Sequence, residues 1–267
     1  MRNLKITVGY DGTRFVGWQR QAAGESVQGA LEAALGRFEG APVTVHGAGR
    51  TDAGVHALAQ VASVRLACSH DTATLTRALN AQLPEDLRVL SIEEVPPGFH
   101  ARFAARSKTY RYLLRNAATS VPFERAFVWH VPQPLDVGAM RVAARALAGT
   151  HDFAAFQSAG TAVTRTVRTI TRSEVVADSD LTTSASPATG PLPDLVTGDT
   201  CGLLAYEVSG SGFLRHMVRA IVGTLVEVGR GWRSPDSMTA LLQGAARGEA
   251  GATAPAHGLF LVRVDYH

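Results

Sequence analysis

An α+β architecture in two similarly ordered halves is predicted for this chain by three features. Strand-like alternation of apolar and polar residues recurs at Leu4–Tyr10, Tyr110–Arg115 and Phe260–Tyr266. Helical stretches between strands open on Ser26, Asp71 and Asp136, residue types whose side chains cap free amides. The 267 residues, 46% hydrophobic and 18% charged, suffice for one large or two modest domains with a proper core.

Leu4, Ile6, Val8 and Tyr10 give the first strand one apolar face, and Asp11-Gly12 ends it with a turn signal. Ser26 then caps a helix carrying Leu31, Leu35 and Phe38 at i, i+4 and i+7. A short strand through Val43 and Val45 leads into a glycine-punctuated segment, Gly47 to Gly54, and a strand around Val61, Val64 and Leu66 follows. Asp71 caps a second helix holding Leu75, Leu79 and Gln82, which Pro84 stops, and Leu87, Val89 and Ile92 form the closing strand. The order β-α-β-β-α-β is that of a ferredoxin-like unit, shared with RNA-recognition modules.

The second half approximates the same order. Tyr110, Tyr112 and Leu114 alternate with Arg111, Leu113 and Arg115 on a strand, and Asp136 opens a helix through Met140, Ala144 and Leu147 that Gly149 closes. Strands are expected over Val167–Val176 and Leu203–Val208, then a long helix from about Ser211 to Val228. Ser234-Pro235 starts another helix, and Phe260, Val262, Val264 and Tyr266 alternate on a last strand. The domains are therefore 1–103 and 104–267, with mainly antiparallel sheets. An exposed insertion rich in Ser, Thr, Pro, Gly and Asp interrupts the second at about 177–200.

Composition narrows the function. Two cysteines, Cys68 and Cys201, make neither a disulfide framework nor a cysteine-based zinc site. No apolar run reaches the ~18 residues that span a bilayer, and the first residues lack the apolar stretch of a signal peptide, so a soluble cytoplasmic protein without membrane partners is expected. Net charge is only +3, but its placement is uneven. Arg102, Arg106, Lys108, Arg111 and Arg115 fall between Phe99 and Asn116 with no acid among them; Arg215, His216, Arg219, Arg230 and Arg233 share their stretch with Glu227 alone. Only Lys5 and Lys108 are lysines, and arginine's planar fork grips phosphate and stacks on bases. Such patches point to a polyanion partner.

The densest chemistry lies in Gly47-Ala48-Gly49-Arg50-Thr51-Asp52-Ala53-Gly54-Val55-His56-Ala57. Glycines free the backbone around one carboxylate, with an arginine two residues before it. A tight turn in which Asp52 only bonds its own backbone is the structural alternative. No Gly-Lys-Ser/Thr follows, which excludes a phosphate loop of the Walker type. A metal site from His46, Asp52 and His56 lacks the helical i, i+4 pairing of a zinc protease.

GRTDAGVHA resembles the active-site signature of the tRNA pseudouridine synthase A family. The likeness runs in order through Tyr10-Asp11-Gly12 to Gly17-Trp18-Gln19-Arg20, then Leu79-Asn80 and Leu83-Pro84-Glu85-Asp86. It continues through Phe99-His100-Ala101-Arg102-Phe103, Lys108-Thr109-Tyr110-Arg111-Tyr112 and His216-Met217-Val218-Arg219. The resemblance implies an isomerase that turns uridine into pseudouridine at positions 38–40 of the tRNA anticodon stem-loop. It further implies a homodimer whose two ferredoxin-like halves flank a basic central cleft, working without cofactor or metal.

By the same resemblance Asp52 is the catalytic carboxylate, Arg219 the arginine that pairs with it and Tyr110 the ring that stacks on the target uracil. Attack at C1′, attack at C6 and removal of the 2′ proton all remain open for Asp52; covalent attack uses the ionised acid, a form that a nearby guanidinium favours. Arg50 is a candidate to contact the flipped nucleotide. Arg20, Arg102, Arg106, Lys108 and Arg111 are candidates for holding RNA phosphates, and His56 for supporting the loop at the substrate site. Trp18, Phe15 and Phe103 are expected in the core. Tyr112 shares a strand face with Tyr110, so alternation alone does not separate their roles. The chain departs from the family in having Ala220 where an asparagine usually follows the helical arginine. Two rival readings remain: a non-catalytic RNA-binding protein of two RRM-like units, and a metal-assisted hydrolase built on His46, Asp52 and His56.

Overall fold

A computed structural model describes residues 1–158, 164–177 and 202–266. The insertion expected at about 177–200 lies, beyond Ala177, outside the described residues. The chain is a mixed α+β protein with mostly antiparallel strands. Two compact units emerge: Met1–Arg106 together with Phe260–His267, and Ser107–Leu259. No helix among the described residues is long and apolar enough to cross a membrane.

In the first unit, β1 (Arg2–Tyr10) lies antiparallel between β3 (His56–Leu66) and β4 (Leu87–Val95), in register from Arg2 opposite Leu66 and Asn3 opposite Val95. The two-residue β2 (His46–Gly47) pairs with β3 through Ser63 and Ala62. It is shorter and later than Val43 and Val45 suggested, and Val45 instead packs inward, its amide donating to the Glu32 carboxylate. Two helices, α1 (Val27–Glu39) and α2 (Thr72–Gln82), complete the unit. Ser26 Oγ accepts the Gly29 amide and Asp71 Oδ1 the Thr74 amide, as the sequence predicts for N-caps. Leu4, Ile6 and Val8 of β1 are buried, as are Leu31, Leu35, Leu75 and Leu79 of the helices. That alternation leaves Asn3, Lys5 and Thr7 on the other face of the strand.

Residues 96–106 are anchored along that second face. Asn3 Nδ2 donates to the carbonyls of Pro96 and Phe99, each at 2.9 Å, and the Ala101 amide donates to Ser63 Oγ at 3.1 Å. The final strand β10 (Leu259–Asp265) runs parallel to β3, Phe260 beside His56. Beyond it, Tyr266 Oη donates to the Ala101 carbonyl. The sequence assigned residues 260–267 to the second half; their pairing with β3 groups them with the first. Alternation reveals a strand but not its neighbours.

The second unit carries the antiparallel order β5 (Ser107–Arg115), β9 (Leu203–Gly210), β8 (Val167–Ala177), β7 (Gly149–Asp152). A two-residue β6 (Trp129–His130) runs parallel to β5. Neither β6 nor β7 is legible as an alternating run, because each is too short to show a period. Helix α3 (Val137–Arg145) starts at its Asp136 cap as expected, but ends before Gly149; that glycine, at φ +117°, turns the chain into β7 instead. Helix α4 (Met217–Gly229) is shorter at its start than predicted, since Ser211–Arg215 stay non-helical and His216 sits at φ +61°. Arg215 and His216 therefore precede the helix that bears Arg219. The Ser234-Pro235 signal is followed by a five-residue helix, α5 (Ser237–Leu241).

Candidate active site

Asp52 stands half-exposed on the loop between β2 and β3. The loop is held from one side by the segment after β1. The Trp18 backbone amide donates to the Thr51 carbonyl at 3.1 Å, and Tyr10 Oη shares a 2.8 Å hydrogen bond with Thr51 Oγ1. Burial pushes the Tyr10 phenol up to about 12, so it stays a neutral partner. Gly17 adopts φ +107°, and a Cβ there would lie 2.7 Å from the Thr51 carbonyl oxygen and 3.1 Å from the Asp52 carbonyl carbon. A Cβ on Gly12 would sit 2.1 Å from the Val55 carbonyl oxygen. These glycines are required for close backbone approach. From the other side, Gln60 Nε2 donates to the Gly49 carbonyl at 3.0 Å.

His56 is 1% exposed, and its Nδ1 accepts the Gly12 amide at 3.0 Å while the ring stacks on Phe260 at 4.7 Å. The same Nδ1 also lies 3.1 Å from an Asp11 carboxylate oxygen. His56 braces the loop from below. Arg50 is exposed, with Nε donating to Gln19 Oε1, and Arg20 is exposed 3.4 Å from Glu32. Among the described residues no three His, Cys, Asp or Glu side chains gather as a metal set. His46 packs on His100 while His56 bonds Gly12.

In the second unit Tyr110 is 8% exposed and meets Phe213 edge-on, ring centroids 5.0 Å apart. Tyr112 is wholly buried, donating from Oη to the Pro255 carbonyl, and a Cβ on Gly258 would strike its ring. Both tyrosines are buried, Tyr112 completely and Tyr110 with 8% of its surface exposed. Arg219 on α4 is half-buried, its Nε donating to the Ala254 carbonyl at 2.7 Å, and the Ala254 amide returns a bond to the Arg219 carbonyl. Residues 251–254 come this close because Gly223 and Gly251 carry no side chain between them and the helix. The Thr224 hydroxyl accepts the Gly251 amide there. Ala220 is fully buried in α4.

The basic run after Phe99 divides in two. Arg102 and Arg106 are exposed and Lys108 half-buried. Arg111, expected to hold phosphate, is 6% exposed, and its Nε donates to Glu207 at 2.6 Å; Arg172 joins the same carboxylate at 2.9 Å. Arg115 is likewise buried against Glu124. Both partners are distant or unpatterned in sequence, so a local charge count overstated the open basic surface. Phe103 corrects the reading in the other direction: expected in the core, it is 77% exposed. Trp18 and Phe15 are buried as expected. The sequence did not mark Tyr10, Gln60 or the 251–254 segment as supports; only the Gly-rich spacing hinted at close packing.

The Asp52 carboxylate thus stands on a backbone-caged loop in an α+β chain with exposed arginines. The model of the family described as tRNA pseudouridine synthase matches residues 6–104 and 143–267. Proteins named tRNA pseudouridine synthase A are similar over essentially their whole length. That of Nitratidesulfovibrio vulgaris is 45% identical, covering 100% of both chains, and that of Pelobacter propionicus 41%, again covering 100% of both. That of Streptococcus pneumoniae is 40% identical over 100% of this chain and 99% of its own. The chain belongs to the tRNA pseudouridine synthase family.

Proposed function

We propose that the chain isomerises uridine to pseudouridine at positions 38–40 of the tRNA anticodon stem-loop, with Asp52 as the catalytic carboxylate. The observation that carries this reading is the Asp52 loop: its backbone is clamped by Gly12, Gly17, Trp18 and Gln60 while the acid itself is left half-exposed. A rigid frame around an accessible acid is what positioned catalysis requires. In the reaction the C1′–N1 bond breaks, the uracil turns, C5 bonds to C1′, and the proton displaced from C5 is balanced by one gained at N1. No atom enters or leaves, so the chemistry calls for neither metal nor cofactor. Asp52 supplies either the nucleophile, at C1′ or C6, or the base that removes the 2′ proton. Each route begins from the ionised carboxylate.

By the family resemblance Tyr110 is assigned to stacking on the uracil and Arg219 to partnering the acid; in this chain Tyr110 meets Phe213 edge-on and the Ala254 carbonyl orients the Arg219 guanidinium. Base–aromatic stacking of ~1–3 kcal/mol offsets much of the cost of flipping the nucleotide. Arg50, Arg20, Arg102, Arg106 and Lys108 contact the RNA, and His56 contributes through the loop it braces. The halves are ferredoxin-like units of a cytoplasmic homodimer. For the first unit this rests on the element order β-α-β-β-α-β and the pairing of β4 with β1, β1 with β3 and β3 with β2.

Asp52→Asn is expected to lower turnover by on the order of 10³-fold or more while tRNA affinity stays within a few-fold of wild type. Nucleoside analysis of an anticodon stem-loop transcript, with no metal added, reads the outcome. Turnover near the wild-type rate removes Asp52 from the chemistry, and binding without any pseudouridine from the wild-type protein favours a purely RNA-binding role.

A further inference from the structure

On the first unit, the one-turn segment after Phe99 builds an aromatic surface that the proposed reaction leaves unused. The Ala104 amide donates to the His100 carbonyl and the Arg102 amide to His100 Nδ1, closing a compact turn. Phe103 projects from it, and its ring lies 4.4 Å from that of His100, at 36°. His100 in turn lies 4.9 Å from the exposed His46 ring, at 31°. The Arg102 guanidinium sits 5.8 Å from the Phe103 centroid, and Arg106 is exposed three residues on.

A lone exposed phenylalanine is ordinary, but Phe103 continues into the His100 and His46 rings as one contiguous aromatic surface, and such a patch marks a contact site. Three further points select what it meets. First, the turn is rigid: the bonds from Asn3, Ser63 and Tyr266 tie residues 96–101 to the sheet, so the ring is presented without an ordering cost. Second, the exposed charges beside the ring, Arg102 and Arg106, are both cations, which suits a polyanion such as a nucleic acid. Third, His46 belongs to β2, the strand that runs into the Asp52 loop, and six residues of chain span at most about 20 Å.

We propose that Phe103, backed by His100 and His46 and flanked by Arg102 and Arg106, is a stacking platform for an unpaired base of the bound tRNA other than the uridine being isomerised. The proposal rests on the tRNA reading above. Every base has a π-face, so the platform adds affinity with little sequence preference, and the arginines take the adjoining phosphates.

The test measures equilibrium affinity for a full tRNA transcript, kcat and KM for pseudouridine formation, and oligomeric state by light scattering, on the full chain and on Phe103→Ala, Phe103→Leu and Phe103→Trp. Stacking predicts that the alanine and leucine variants both lose affinity by on the order of ten-fold, with KM raised and kcat kept, and that tryptophan restores binding. An alanine variant that binds as wild type overturns the platform. So does a leucine variant that binds as wild type, since an apolar contact without a ring would then suffice. A variant that changes oligomeric state while its tRNA affinity per protomer is unchanged overturns it as well, and assigns the surface to a second copy of the chain. If wild type binds tRNA but makes no pseudouridine, the functional reading falls while the affinity series still decides the platform.

Discussion

At the scale of single residues, burial separates side chains that look alike in the sequence. Arg102 and Arg111 belong to one basic run, yet Arg102 is exposed and Arg111 lies in a buried pair with Glu207. Removing one partner of a buried pair costs about 3–5 kcal/mol when the other charge is left alone, and less here because Arg172 still reaches Glu207. Arg111→Met is therefore expected to lower the unfolding free energy by less than about 3 kcal/mol while the salt dependence of tRNA binding keeps its wild-type slope; a shallower slope would return Arg111 to the phosphate contacts. Histidines separate likewise. Burial, helped by His46 and Arg102, holds the His100 imidazole below the usual histidine value. Burial, with Arg219, does the same to His257 against a hydrogen bond involving Val128. The unfolded chain then binds more protons than the folded one once pH drops below about 6.5, so stability is full above that value and declines on acidification. Thermal melts across pH 5 to 8 are expected to show this decline, and His100→Phe combined with His257→Gln to flatten it. An unaltered acid limb in the double variant would place the titration elsewhere.

At the scale of elements, the loop between β2 and β3 owes its shape less to its own residues than to the segment that follows β1. Gly17 fills the one position where both a positive φ and an approach of 2.7 Å to Thr51 exclude a side chain. Gly17→Ala is expected to cost about 1–3 kcal/mol in stability, from the strained backbone, and to reduce kcat more than tRNA affinity by shifting the Asp52 backbone. Equal losses in kcat and affinity would show that the clamp shapes binding rather than the chemistry. Much of the element plan was legible in sequence, because caps at Ser26, Asp71 and Asp136 and the alternation of β1 are local signals. The start of α4 was not. The apolar stripe extends back to Phe213, but the positive φ of His216 breaks the helix there, and no periodicity encodes that.

At the scale of the whole molecule, the cations that reach solvent are the quantity that bears on RNA. Arg20, Arg50, Arg102 and Arg106 are exposed and Lys108 half-buried, and five phosphate contacts from these would give a slope of log affinity against log salt of about −4. A titration from low to physiological salt measures it directly. A slope near zero would contradict an electrostatic RNA surface, and one much steeper would call for cations beyond these five.

The sequence alone determined the α+β plan, the capped helices and the signature around Asp52, because each is written in neighbouring residues through period, cap or spacing. Which strand the last one pairs with, which arginines are neutralised and which aromatic rings reach solvent were decided only by the tertiary structure. Phe260 finds β3, Glu207 finds Arg111, and Phe103 is lifted outward because the segment before it is tied to the sheet face away from the helices. Such partners lie far apart along the chain, and contacts of that kind depend on where the folded backbone brings surfaces together.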